Sequence, residues 1–262
     1  MFGAIAGDII GSLYERNNLK SKKFPLFSPG AGFTDDTVCT LAVADCLIHE
    51  GDFASYLRQY VRRHPNRGYG QKFRHWAFSH EGPYNSWGNG SAMRVSPVAH
   101  FARDEKELLD LAEQSASVSH NHPDAIAGAQ AVALAIWMAK LGEEIEVIRK
   151  EVSNRFRYDL TRTVDEIRPN YSFDVSCAGS VPEAITCALE ASDFEDAIRN
   201  AVSIGGDSDT IACIAGAIAE CLFDKPRDIV ERVEGYLRAP NAEDLLDTWY
   251  RFNKFERAEG IA

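Results

Sequence analysis

Two short acidic segments each precede an apolar, helix-compatible run. Residues Thr34–Thr37 read TDDT ahead of Val38–Ile48, and Gly205–Thr210 read GGDSDT ahead of Ile211–Phe223. One carboxylate is enough to cap a helix, because it accepts hydrogen bonds from the free N–H groups of the first turn. Two neighbouring carboxylates repel each other unless a cation binds them, and all-oxygen ligand sets are those that Mg²⁺ and Mn²⁺ prefer. Capping and a two-metal site both fit this pattern, and the metal site requires the two helix ends to converge.

Three further segments carry residues that could bind a ligand. Residues Gly88–Arg94 read GNGSAMR, a pattern that can turn backbone N–H groups toward a phosphate and that is equally typical of a flexible loop before a helix. Residues Ser119–Asp124 read SHNHPD, where histidine can interact with a helix end. No cysteine or further histidine completes a zinc ligand set there. Glu15 begins a basic irregular segment and, taken alone, would be a surface carboxylate.

Helical periodicity dominates the segments that must position these residues. Alanine is abundant, and alternating β-branched runs are absent apart from a weak strand pattern at Thr161–Ile167. We therefore predict an all-α fold in a single domain, 1–262, in which Asp52, Asp193 and Asn241 are helix N-caps. The helices are predicted at Val38–Ile48, Asp52–Arg63, Asp104–Val118, Ala125–Ala139, Phe194–Val202, Ile211–Phe223, Arg227–Leu237 and Ala242–Phe255. Long irregular segments are expected at about 17–32 and 82–91.

Composition excludes several classes of protein. The chain has 262 residues with 28 Lys+Arg and 39 Asp+Glu, a net charge of −11, which argues against nucleic acid as a partner. The most apolar stretch, Ala125–Ala139, is shorter than the roughly 20 residues that a membrane span needs. The first residues lack the basic region of a signal peptide. The six cysteines form no C-x-x-C pair, which favours reduced thiols and a cytoplasmic location.

Five blocks, taken together and in this order, resemble the ADP-ribosylglycohydrolase family: Gly7–Glu15, Phe33–Thr37, Gly88–Pro97, Ser119–Pro123 and Gly205–Ala212. The resemblance implies an all-α hydrolase with a binuclear Mg²⁺ or Mn²⁺ centre. It would cleave the glycosidic bond between ADP-ribose and a modified protein side chain, so its partner would be an ADP-ribosylated protein or an ADP-ribose conjugate. Arginine is the favoured acceptor, because compact members often act on it. The alternatives are serine-linked ADP-ribose, O-acetyl-ADP-ribose or another small conjugate, and a non-catalytic member that binds ADP-ribose.

The resemblance also implies roles for individual residues. Glu15 would begin a mobile flap formed by the basic segment that follows it. The metal ligands would be Thr34, Asp35, Asp36, Asp207, Asp209 and Thr210. The substrate-binding residues would be Asn89, Gly90, Ser91, Ala92, Met93 and His122. The candidates for moving a proton during cleavage are Glu15, Asp36 and Asp209.

Overall fold

Helices form the regular structure of residues 1–258, the part of the chain that this computed structural model describes. In chain order they are α1 (Phe2–Gly11), α2 (Asp35–Ile48), α3 (Phe53–Arg63), α4 (Gln71–Phe78), α5 (Gly90–Met93), α6 (Ser96–Phe101), α7 (Glu105–Ser117), α8 (Pro123–Lys140), α9 (Ile145–Phe156), α10 (Val164–Ile167), α11 (Cys177–Leu189), α12 (Phe194–Ser203), α13 (Ser208–Leu222), α14 (Arg227–Leu237) and α15 (Glu243–Ala258). Within 1–258 the β-structure is limited to an isolated bridge between Gly88 and Ser176. The predicted all-α fold is confirmed.

The predicted helices agree with the structure to within one turn at each end. Asp52 and Asp193 are N-caps as predicted, because their side chains accept from the backbone N–H groups of Ser55 and Asp196. Helix α1, which is central to the fold, was not predicted from the sequence. That the single domain comprises residues 1–262 stays a prediction.

One local prediction was wrong, and one weak strand pattern forms no strand. Asn241 is not an N-cap, because α15 begins only at Glu243 and Asn241 has a φ of 69°, a left-handed conformation that asparagine adopts more readily than most residues. The weak strand pattern at Thr161–Ile167 lies partly in the short helix α10. A reciprocal capping box between Thr163 and Glu166 stabilises that helix start.

The two helices α1 and α13 pack so closely that side chains are excluded between them. Three glycines spaced four residues apart on α1 face the α13 backbone. A Cβ atom built on Gly7 would lie 1.9 Å from the carbonyl oxygen of Ala212, and one built on Gly11 would lie 2.4 Å from that of Ser208. A Cβ on Gly3 would clash similarly with Gly216. The last turn of α1 is therefore held against the first turn of α13.

The remaining helices surround this pair. The helix α13 also packs against α8, α11 and α12, while α2 contacts α1 and packs against α3, α6 and α15. The N-terminal ends of α2 and α13 are thus brought to the same end of α1. Among residues 1–258, no helix is both long enough and apolar enough to cross a membrane.

The glycine contact generates a stability prediction. We expect Gly7→Ala to destabilise the protein by about 3 kcal/mol, because the added methyl group must push α1 away from α13. Urea unfolding monitored by circular dichroism measures this change. The matched control is Gly235→Ala on the exposed face of α14, where a Cβ meets no atom within 4 Å. That change should stabilise the helix by about 0.5–1 kcal/mol. Equal effects of the two substitutions would contradict the close packing of α1 and α13.

Candidate active site

The N-terminal ends of α2 and α13 converge at a cavity of about 450 Å³. This size is within the range of small-molecule sites, about 300–1,000 Å³. The predicted metal ligands all line it: Thr34, Asp35, Asp36, Asp207, Asp209 and Thr210. Glu15 lines it as well. The structure therefore brings together the residues of both acidic segments, and their role as metal ligands stays a prediction.

Asp8 on α1 is a further carboxylate of this site that sequence reasoning did not select. Oxygen atoms of Asp8, Asp36 and Asp209 lie within 4.8 Å of one another, and all three residues are buried. Asp8 accepts hydrogen bonds from the backbone N–H and the hydroxyl of Thr34, at 2.9 and 2.7 Å, and from the same two groups of Thr37. The signal in the sequence was a single carboxylate inside an apolar run with glycine at every fourth position.

Burial and mutual repulsion disfavour ionisation of these carboxyl groups. Burial is the largest cause that raises the pKa of Asp36 well above its ordinary value, and the charges of Asp8 and Asp35 raise it further. The same two effects raise the pKa of Asp35 to about 8. Burial raises the pKa of Asp207 to about 6, although a hydrogen bond from Asn89 opposes the shift.

The donor set fits a divalent cation. Within residues 1–258, the buried Oδ1 atom of Asp36 has no hydrogen-bond partner. The Asp36 side chain therefore carries an acceptor that the surrounding protein leaves unsatisfied, next to other carboxylates and the hydroxyl groups of Thr34 and Thr210. Mg²⁺ and Mn²⁺ bind to clusters of hard oxygen atoms of this kind.

The predicted substrate-binding segment contributes unevenly to the cavity. Asn89, Gly90 and Met93 line it. The Asn89 amide donates to Oδ2 of Asp207 at 2.7 Å, which links this segment to the acidic cluster. Ser91 and Ala92 are fully buried, and the Ser91 hydroxyl donates to the carbonyl oxygen of Ala125 at 2.8 Å. The side chains of Ser91 and Ala92 thus support the wall and do not form its surface.

Of the two neighbouring histidines, His120 lines the cavity and His122 lies outside it. The helix α8 begins at Pro123, so His122 becomes its N-cap, and the ring accepts from the backbone N–H of Asp124 at 3.2 Å. The ring of His120 is buried, and burial lowers its pKa well below the ordinary value. The geometry therefore favours His120 over the predicted His122 as a ligand contact.

Aromatic side chains differ in their access to the cavity. Tyr84 and Phe173 line it, and Phe173 is 56% exposed at the rim. Trp87 is also exposed but does not line the cavity. Phe33 is buried beneath the guanidinium of Arg67, whose Cζ atom lies 3.7 Å from the ring centre. Phe73 also lines the cavity but is buried, so Tyr84 and Phe173 are the more accessible aromatic residues for contact with a planar ligand.

A second cavity, of about 670 Å³, lies near the start of α1 and the end of α13. Several of its charged groups pair with one another: Glu220 forms ion pairs with the Met1 amino group and with Lys225, and His100 pairs with Glu256. These contacts compensate the buried charge of Glu220, in contrast to the acidic cluster.

The comparisons with known proteins point to hydrolases of ADP-ribosyl groups. The family model described as ADP-ribosylglycohydrolase matches residues 1–250. The chain is 25% identical to the ADP-ribosylhydrolase ARH3 of Homo sapiens, over 89% of this chain and 88% of that protein. It is 28% identical to an ADP-ribosylarginine hydrolase of Pseudomonas putida, over 81% of this chain and 68% of that protein.

A solved structure titled "ADP-ribosylglycohydrolase-related protein complex" has a similar fold. The TM-score is 0.70 at 23% identity, covering 94% of this chain and 96% of that chain. At this identity the likeness supports the helical architecture alone.

The crowded carboxylates generate a prediction for protein freed of cations by chelation. An aspartate with a raised pKa binds its proton in the folded state more tightly than in the unfolded state, where the pKa is about 3.9. The free energy of unfolding should therefore decrease as the pH rises from about 4 through the folded pKa values, about 6 for Asp207 and about 8 for Asp35. Thermal unfolding across this range measures the decrease.

Asp35→Asn removes one of these groups and should make the decrease shallower. The matched control is Asp228→Asn, which changes an exposed aspartate in the first turn of α14. If Asp35→Asn and Asp228→Asn gave the same pH dependence as the unsubstituted protein, the repulsion within the cluster would be refuted.

Proposed function

Because the chain belongs to the ADP-ribosylglycohydrolase family, we propose that it is a metal-dependent hydrolase that releases ADP-ribose from modified arginine side chains of proteins. The observation that carries this proposal is the set of buried carboxylates at the base of the 450 Å³ cavity. The relatives named as hydrolases of ADP-ribosyl groups match most of the chain, which supports the same reaction class here.

Two Mg²⁺ or Mn²⁺ ions are part of the proposal. The residues that would hold them are Thr34, Asp35, Asp36, Asp207, Asp209 and Thr210, with Asp8 behind them. When bound, such cations orient ribose hydroxyl groups and make a water molecule more acidic near the anomeric carbon. The Oδ1 atom of Asp36, which has no partner within residues 1–258, supports this assignment, since burying a carboxylate oxygen without a donor is costly.

Cleavage of a glycosidic bond passes through an oxocarbenium-like state, and protons must move to and from the reacting oxygen and nitrogen atoms. Glu15, Asp36 and Asp209 are the proposed groups. Glu15 is partly exposed at the rim, so it can exchange protons with solvent and with the departing acceptor. Asp36 and Asp209 lie buried at the base, where they can orient the attacking water.

The proposed ligand extends from the acidic cluster along the wall formed by Asn89, Gly90 and Met93. At α5 the backbone of Gly90 would face the diphosphate, supported from behind by the buried Ser91 and Ala92. The basic loop at about 17–32, which follows Glu15, would act as the flap. Lys20 attaches this loop to the protein, because its ammonium group donates to the carbonyl oxygen atoms of Tyr171 and Ile204.

Electrostatics favours arginine as the acceptor. The guanidinium group is always cationic, and Glu15 at the rim attracts it, above the aspartates whose charge the two bound cations would offset. The name of the Pseudomonas putida relative supports the same acceptor. A cytoplasmic location is also proposed, supported by six cysteines that are all free of disulfide bonds.

Replacement of the carboxylates tests the proposed chemistry. Asp36→Asn and Asp209→Asn should each lower the rate of ADP-ribose release by about 100-fold or more, because each loses a charged group at the reacting centre. Release of ADP-ribose from an ADP-ribosylated arginine peptide, separated by chromatography, measures the rate. Asp228→Asn serves as the control and should retain full activity. An Asp36→Asn protein that is folded and fully active would contradict the proposal.

Metal binding is tested separately, through its effect on the free energy of unfolding. At 100 times its dissociation constant, Mg²⁺ or Mn²⁺ should raise the free energy of unfolding by about 2.7 kcal/mol, provided that only the folded state binds it. Thermal unfolding of chelated and metal-loaded protein measures this gain, which Asp36→Asn should largely abolish. A chelated protein whose melting temperature does not respond to millimolar metal would argue that the cluster binds no cation.

The acceptor is decided by a direct comparison. One peptide that contains both arginine and serine can carry ADP-ribose on either residue. The form modified on arginine should be cleaved faster than the form modified on serine, by about tenfold or more, given the attraction between unlike charges. O-acetyl-ADP-ribose serves as the small-molecule comparison. Faster cleavage of the serine peptide or the acetyl ester would replace arginine as the acceptor and leave the hydrolase assignment intact.

A further inference from the structure

A buried arginine lies in the wall of the active-site cavity. Arg94 is fully buried, and its Nη2 atom donates to the carbonyl oxygen of Ser115 at 2.8 Å and to the hydroxyl oxygen of Ser119 at 3.0 Å. Within residues 1–258, its Nε and Nη1 atoms have no hydrogen-bond partner. The hydrogen bond from Arg94 to Ser115 pairs a carbonyl oxygen at the end of α7 and is structural. The hydrogen bond from Arg94 to Ser119 acts on the neighbouring His120.

Ser119 connects Arg94 to His120. The hydroxyl oxygen of Ser119 lies 2.8 Å from Nδ1 of His120, and both residues are buried. Because this oxygen accepts a hydrogen bond from a cation, its own proton is directed away from the guanidinium and toward Nδ1. An imidazole nitrogen that accepts a hydrogen bond carries no proton, so the ring proton of neutral His120 belongs on Nε2.

The Nε2 atom of His120 faces the glycine-containing wall of the cavity. A Cβ atom built on Gly90 would lie 3.0 Å from Nε2, and one built on Gly88 would lie 3.7 Å from it. Both glycines line the cavity together with His120. The rings of Tyr84 and Phe73 pack against His120, with centroids 5.8 and 5.9 Å away, and restrict its rotation.

We infer that Arg94 and Ser119 are positioning residues that hold His120 in the tautomer that donates from Nε2 to a phosphate oxygen of the bound ligand. The identity of that ligand rests on the proposed function. The tautomer does not, because Arg94, Ser119 and His120 form the chain of hydrogen bonds without a ligand. Arg94 also adds positive charge to this part of the wall, opposite in sign to the acidic cluster.

The tautomer is measured directly by nuclear magnetic resonance of protein labelled with ¹⁵N on histidine, with the His120 signals assigned by their loss in His120→Gln. The unsubstituted protein should show one tautomer, protonated on Nε2. Ser119→Ala should give a mixture of the two tautomers. Ser115→Ala is the matched control, because it removes another buried hydroxyl near the end of α7 that bonds to the Ala112 carbonyl and not to His120.

A proton on Nδ1 in the unsubstituted protein would overturn the inference, as would a Ser119→Ala spectrum identical to that of the unsubstituted protein. Calorimetric titration with ADP-ribose gives the functional readout. Ser119→Ala should weaken binding about fivefold, the size expected for one hydrogen bond that is no longer aligned, while Ser115→Ala should not. Equal affinities for Ser119→Ala and Ser115→Ala would refute the positioning role. Failure of the unsubstituted protein to bind ADP-ribose would instead refute the proposed function. The nuclear magnetic resonance experiment would still determine the tautomer of His120.

Discussion

The close contact between α1 and α13 is the constraint on which the rest of the site depends. Glycine at positions 3, 7 and 11 lets the two backbones touch, so the last turn of α1 meets the first turn of α13. Asp8 is thereby placed beside Asp209. Its hydrogen bonds to Thr34 and Thr37 then hold the start of α2 at the same point. Helix packing, rather than a loop, therefore determines where the carboxylates converge.

This arrangement concentrates negative charge that the protein compensates only in part. Asp36 and Asp209 lie in the first turns of their helices, where the helix dipole favours an anion. Asp8 lies in the last turn of α1, where the dipole opposes it, and threonine N–H and O–H groups supply the compensation. The Oδ1 atom of Asp36 receives no such donor within residues 1–258. A divalent cation would supply the compensation that the protein leaves out.

Much of the site could be predicted because its signals are local. The two acidic segments are helix starts, which residue type and spacing indicate, whereas their role as metal ligands came from the family resemblance. Asp8 was missed because α1 is buried on every side and has glycines where an amphipathic helix would have contrasting faces. The family resemblance implied His122, whereas His120, two residues earlier, lines the cavity. Which of two neighbours faces a cavity is decided by packing between helices distant in sequence.

The central claim is that the carboxylates of α2 and α13 bind divalent cations. Anomalous X-ray diffraction from crystals of the full chain grown with Mn²⁺ tests this most directly, because it locates the metal without assuming its ligands. We expect anomalous peaks within bonding distance, about 2.0–2.3 Å, of oxygen atoms of Asp36 and Asp209. A crystal saturated with Mn²⁺ that showed peaks only elsewhere, or none among these residues, would contradict it.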